Sequence, residues 1–209
     1  MEHPVLAGKH LLFCGDSISY GHYDACPGTA WAGRLAKDTG LIAHNVSQSG
    51  WTVSTVRDRQ IVEQLDNAPE KTYDAIVLHG GVNDCWDAGP VGTVPEPHLP
   101  PEGYDRTTYA GGLSHLFAVT RQRFPGARVV FIINYPTVGI ATDAEPYWQA
   151  ALTICRDWQV PVLDLFHDRE TAELLRVTEP DYIFDGVHPN AEGYDRLTPV
   201  IGRWLAAVL

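Results

Sequence analysis

A chain of 209 residues with 44% hydrophobic and 20% charged residues has the length of one domain and an ordinary globular composition, and it is read as a single domain over 1–209. Its formal net charge of -11 works against phosphate backbones and anionic membrane faces, so neither nucleic acid nor a membrane is an expected partner; charge does not choose among neutral small substrates. No apolar run approaches bilayer-spanning length and residues 1–10 lack the basic-then-apolar pattern of a secretory leader, so the expected location is the cytoplasm. The cysteines (Cys14, Cys26, Cys85, Cys155) form no C-x-x-C pair, which argues against a zinc knuckle or a redox motif, and Cys14 reads as a small core residue.

Along the chain, Leu11 to Cys14 is a short apolar run stopping at Gly15, the pattern of a buried strand. Thr29 to Lys37 reads as a helix with Trp31, Leu35 and Ala36 on one face, and Leu41 to Val46 as a second strand. Ser54 to Leu65 is expected to be helical, its Val56, Ile61, Val62 and Leu65 standing apolar among charged neighbours. Ala75 to Leu78 is the third strand. Residues 87–108, with Pro90, Pro95, Pro97, Pro100 and Pro101, form no convincing element; coming directly after Asn83 and Asp84, this Pro-rich loop is expected to be a wall or lid over a site, the plainer alternative being a surface insertion. Tyr109 to Phe124 reads as a helix closed by Phe124-Pro125-Gly126, and Arg128 to Asn134 as a strand buried on both faces. Tyr147 to Trp158 is a helix, Val160 to Phe166 the fifth strand, and Ala191 to Leu209 a last helix that Pro199 should kink or split. This alternation predicts an α/β fold: a three-layer α/β/α sandwich around a five-stranded parallel sheet, with the flavodoxin-like order 2-1-3-4-5.

In such sheets ligands bind beyond the carboxyl ends of the strands. Ser17 follows the first strand, Gly50 the second and Asn83 the third, while Asp185 and His188 lie in the loop before the last helix, at the same edge by right-handed winding. A serine hydroxyl needs a base within reach, and His188 can be that base, with Asp185 three residues earlier fixing its tautomer. The backbone N–H groups of Ser17 and Gly50 and the side-chain amide of Asn83 would meet the oxyanion of a tetrahedral intermediate. Each residue has a plainer reading: Ser17 as a helix cap, Asn83 as a turn residue, His188 as a loop histidine. Asp16 and Asp84 suit holding loop backbone better than chemistry. Asp16, Trp51 and Trp86 are nonetheless carried as candidate substrate contacts, with Trp148 a further tryptophan that could stack on substrate or pack in the core. The other histidines show no i,i+3 or i,i+4 pair, so a helical metal site has no support.

The set Gly15-Asp16-Ser17, Gly50, Gly81-Val82-Asn83-Asp84 and Asp185-Gly186-Val187-His188-Pro189 resembles the four blocks of the SGNH/GDSL hydrolase family, with Ile18 where leucine is usual, over residues 11 to about 195. A Gly-x-Ser-x-Gly elbow, the mark of an α/β-hydrolase proper, is absent. The resemblance implies a serine esterase on a flavodoxin-like fold: Ser17, Asp185 and His188 catalytic, Ser17, Gly50 and Asn83 as oxyanion hole, no cofactor and no metal. Its substrate would be a small-molecule ester, and a carbohydrate O-acetyl ester is favoured by the family's shallow site and by the nearby aromatics. A lysophospholipase or thioesterase acting on longer acyl chains, or a non-catalytic carbohydrate-binding module on the same fold, stand as alternatives.

Overall fold

The computed structural model describes residues 5–22, 30–138, 143–175 and 182–209. Its strands are β1 (His10–Cys14), β2 (Ile42–Asn45), β3 (Ala75–His79), β4 (Arg128–Ile133) and β5 (Val162–Asp164). Its α-helices are α1 (Ser17–Tyr20), α2 (Ala30–Thr39), α3 (Val82–Trp86), α4 (Tyr109–Arg123), α5 (Glu145–Asp157), α6 (Arg169–Leu175) and α7 (Ala191–Val208). Two 3-10 turns, Ile61–Asn67 and Pro101–Gly103, complete the described elements.

All strand pairs are parallel and the sheet runs β2-β1-β3-β4-β5, the predicted order. Burial explains which runs of sequence are continuously apolar. Leu11–Cys14, all of β3 and Val129–Ile133 are buried, being covered on both faces, while the edge strands β2 and β5 are only partly so. Helices α2 and α7 pack together on one side of the sheet, and α4 packs on α5 and on the Ile61–Asn67 turn on the other, so the architecture is the expected three layers. The register pairs Phe13 with both Asn45 and Val77, so the chain leaves β1, β2 and β3 at nearly the same level. That shared edge is where the site is built.

The Ser54–Leu65 segment differs from its expectation. It opens as turns, closed by an isolated bridge between Thr52 and Gln60, and only Ile61–Asn67 is helical, as a 3-10 turn. Gln60 Nε2 takes Arg57 O (2.8 Å), the carbonyl a helix would give to Ile61 N, and Ile61 N instead donates to Thr52 O (2.8 Å), while the buried Asp84 carboxylate accepts from Val53 N (2.9 Å) and Ser54 N (2.8 Å) where the segment begins. Pro199 does not split the last helix, which runs unbroken from Ala191 to Val208. The carbonyl it deprives of a partner is that of Asp195, on the exposed face, while Tyr194, Leu197, Ile201 and Leu205 anchor the other face in the core. The expected start of the second helix, Thr29, and Cys26 lie outside the described residues.

Candidate active site

Beyond β1 the chain turns sharply into α1. Asp16 caps that helix, its carboxylate accepting from Ile18 N at 3.0 Å, and Ser17 stands at the first helical position, 8% exposed. Two buried side chains clamp the turn. Gln64 forms a cyclic amide pair with Gly15, accepting from its N–H (2.9 Å) and donating to its carbonyl (2.8 Å), and Tyr194 of α7 donates to Ile18 O at 2.7 Å. Asp16 is fully buried beside His79, 3.5 Å from its Nδ1, and is absent from the cavity lining; the expectation of a substrate contact there is corrected, because a carboxylate capping a buried helix start points into the fold.

The other end of the sequence comes to meet it. Residues 183–189 close as a narrow loop, with an antiparallel bridge between Ile183 and Pro189 and a bond from Phe184 N to His188 O (2.8 Å). Tyr135, just past β4, donates to Val187 O at 2.6 Å, and Val138 N donates to Gly186 O at 2.8 Å, tying the loop to the sheet edge. Within it Asp185 Oδ1 accepts from Val187 N (3.0 Å) and His188 N (2.8 Å), and Asp185 Oδ2 lies 2.7 Å from His188 Nδ1. His188 Nε2 lies 2.7 Å from Ser17 Oγ, across 171 residues of chain. Burial raises the Asp185 pKa, but the bonds from His188 and Val187 outweigh it and hold this carboxyl below the usual carboxylate range. An ionised Asp185 fixes Nδ1 as the protonated nitrogen of a neutral ring, leaving Nε2 to accept the Ser17 hydroxyl proton.

Gly50 and Asn83 complete the arrangement. Gly50 has φ +81°, a left-handed conformation that costs glycine little. Among the described residues, neither its N–H nor that of Ser17 is taken by a protein acceptor. Asn83, in the first turn of α3, donates from Nδ2 to Trp51 O (2.8 Å), which uses one of its two hydrogens. Gly81 before it has φ +117°, and a Cβ there would lie 2.7 Å from the Trp148 ring. Asp84 holds the neighbouring turn through Val53 N, Ser54 N and Ser54 Oγ (2.6 Å), the backbone role its sequence position suggested.

These groups open onto a cavity of about 490 Å³, lined by Ser17, His22, Ser49, Gly50, Arg57, Val82, Asn83, Trp86, Asp185, Val187 and His188. The geometry can pass a proton from Ser17 to His188, and Ser17, Gly50 and Asn83 all line the one cavity, the kind of arrangement acyl transfer needs. Trp86, 51% exposed, lines the cavity. Trp51 does not; it packs partly against the core and offers its carbonyl to Asn83, and Trp148 is buried in the core. Nor does the 87–108 loop form a wall or lid: none of its residues lines the cavity. It is anchored instead on α4 and the end of α5, through Tyr109 N to Pro90 O, Ala110 N to Val91 O, and the rings of His98 and Tyr104 on Trp158.

Sequence reasoning missed Arg57, Gln64, Tyr135, Tyr194 and His22. Tyr135 was findable, since it follows a strand at the sheet edge that binds ligands; the others sit in no motif.

A family model described as GDSL-like lipase/acylhydrolase matches residues 13–196. Among solved structures, a protein from Lactobacillus plantarum shares 23% identity and a TM-score of 0.81 over 97% of this chain and 99% of its own. The lipase/acylhydrolase from Enterococcus faecalis shares 17% identity and a TM-score of 0.64 over 96% and 97%. The psychrotrophic esterase from a Pseudoalteromonas species, in a structure inhibited by monoethylphosphonate, shares 17% identity and a TM-score of 0.60 over 94% and 98%. At these identities the likeness is one of fold. No curated protein sequence matches the chain.

Proposed function

The chain belongs to the GDSL-like lipase/acylhydrolase family, and on that premise we propose that it is a serine esterase cleaving short acyl esters through an acyl-enzyme on Ser17. The observation that carries this reading is the unbroken run of contacts Asp185–His188–Ser17, each 2.7 Å, opening onto the cavity. Ser17 Oγ attacks the ester carbonyl carbon as its proton moves to His188 Nε2, and Asp185 stabilises the imidazolium that forms. The oxyanion is met by the Ser17 and Gly50 N–H groups and by the Asn83 Nδ2 hydrogen not spent on Trp51. Collapse expels the alcohol, which takes the proton from His188. Water then attacks the acyl-enzyme with His188 as base, releasing the acid and restoring Ser17.

For the substrate we favour a carbohydrate O-acetyl ester. Trp86 supports this: a half-exposed indole on the cavity rim offers a sugar face an apolar platform beside the nucleophile. The test is an acyl series of p-nitrophenyl esters from acetate to decanoate with wild type and Ser17→Ala, alongside acetylated sugars. Acetyl esters should be cleaved fastest, with Ser17→Ala folded and inactive. A preference for decanoate would remove the sugar-deacetylase reading, and full activity in Ser17→Ala would remove the mechanism.

A further inference from the structure

Arg57 belongs to none of the sequence blocks, yet its guanidinium bonds to two of the residues that supply oxyanion donors. Nη1 donates to Gly50 O (2.9 Å) and to Asn83 Oδ1 (3.2 Å), while Nε and Nη2 form a fork with Asp87 Oδ2 (2.5 Å) and Oδ1 (3.0 Å). Four of its five N–H groups are thereby committed within the protein.

The consequence lies in the Asn83 amide. Its two ends are nearly equal in size, and only one orientation turns an N–H toward the oxyanion; the reverse would present a lone pair to a negative charge. Trp51 O, an acceptor, stands at Nδ2, and a cation stands at Oδ1. Both neighbours reject the flipped amide, which would set NH₂ against the guanidinium and oxygen against the Trp51 carbonyl. A cation at Oδ1 also draws electron density from the amide nitrogen, which makes the remaining Nδ2 hydrogen a stronger donor. The same Nη1 fixes the peptide that follows Gly50, in a segment that has no regular structure of its own to hold it.

We infer that Arg57, held by Asp87, is a positioning residue of the oxyanion hole, selecting the orientation of the Asn83 amide and steadying Gly50. This rests on the esterase reading above for its kinetic consequence, though not for its structural one. The alternative role for a cavity-lining arginine is direct contact with an anionic substrate, and the two separate in kinetics.

The experiment is a double-mutant cycle on p-nitrophenyl acetate with Arg57→Gln, Asn83→Ala and the double variant. By comparison with the loss of a whole oxyanion donor, Arg57→Gln should lower kcat about 10- to 100-fold with little change in KM. Beside Asn83→Ala the same substitution should cost at least about fivefold less, because the amide it orients is gone. Equal losses in both backgrounds, a loss confined to KM, or no loss would overturn the inference. If Arg57→Gln does not fold, Arg57→Lys takes its place, since one ammonium cannot serve Asp87 and both acceptors together. The Asn83 side-chain amide signals in a ¹⁵N spectrum give a readout independent of turnover. They should move on substitution of Arg57, and unmoved signals would overturn the inference. A wild type that hydrolyses no ester would contradict the esterase reading alone.

Discussion

Asp185 shows how much a single side chain can settle. Its two oxygens take two backbone N–H groups and the His188 ring, so its carboxyl titrates below its ordinary value of about 3.9. A depressed folded pKa means that the ionised group stabilises the fold above the ordinary value, and that this contribution is lost as pH falls through the depressed one. The difference in thermal midpoint between wild type and Asp185→Asn should therefore hold steady down to about pH 5 and shrink below about pH 4. In the same variant kcat should fall about 10³- to 10⁴-fold, by analogy with loss of the orienting carboxylate in other serine hydrolases. The paired spacing of Asp185 and His188 was readable in the sequence because both lie on one short turn. Asp16 and Arg57 show the limit at this scale. The first was named as a substrate contact and caps a buried helix start, since residue type says nothing of the direction a side chain takes. The second was passed over because a lone arginine seven residues after Gly50 has no motif; its role depends on Asp87, which only folding brings near.

Between elements, the segment after Gly50 decides where the oxyanion groups sit. Periodicity from Val56 to Leu65 promised a helix there, but the apolar residues are held by turns and one 3-10 element, and Gln60 Nε2 takes the Arg57 carbonyl that a helix would give to Ile61 N. Asp84→Ala would strand the buried backbone donors of Val53 and Ser54, and the cost by that count is about 2–6 kcal/mol, measurable by urea unfolding. Esterase activity should fall further than global stability explains, since the same turn carries Gly50 and Arg57; an unchanged urea midpoint would contradict this. Strands β1, β3 and β4 were legible because continuous burial leaves a continuous apolar run. The short helices α1, α3 and α6 were not, since one to two turns are too few for an i, i+3, i+4, i+7 pattern to show.

For the molecule as a whole, the strand order does the assembling. With β1 and β3 adjacent, the chain leaves their carboxyl ends in opposite directions, from β1 toward β2 and from β3 toward β4, and a crevice opens between them. Ser17 lies at that crevice, Gly50 and Asn83 reach it from the neighbouring strands, and the 183–189 loop closes on it from the far end of the chain. Alternating β and α patterns made this order legible, as did the rule that ligands sit beyond the strand ends. The course of the 87–108 loop was not, because adjacency in sequence to Asn83 does not reveal anchors on Tyr109, Ala110 and Trp158. An assembled site with Ser17 as its proposed nucleophile should be open to covalent capture. Intact-protein mass spectrometry after treatment with a fluorophosphonate tests it most directly. One phosphonyl adduct on wild type, mapping to Ser17 and absent from folded Ser17→Ala, is the predicted result; no adduct on wild type, or an adduct that survives in Ser17→Ala, would contradict it.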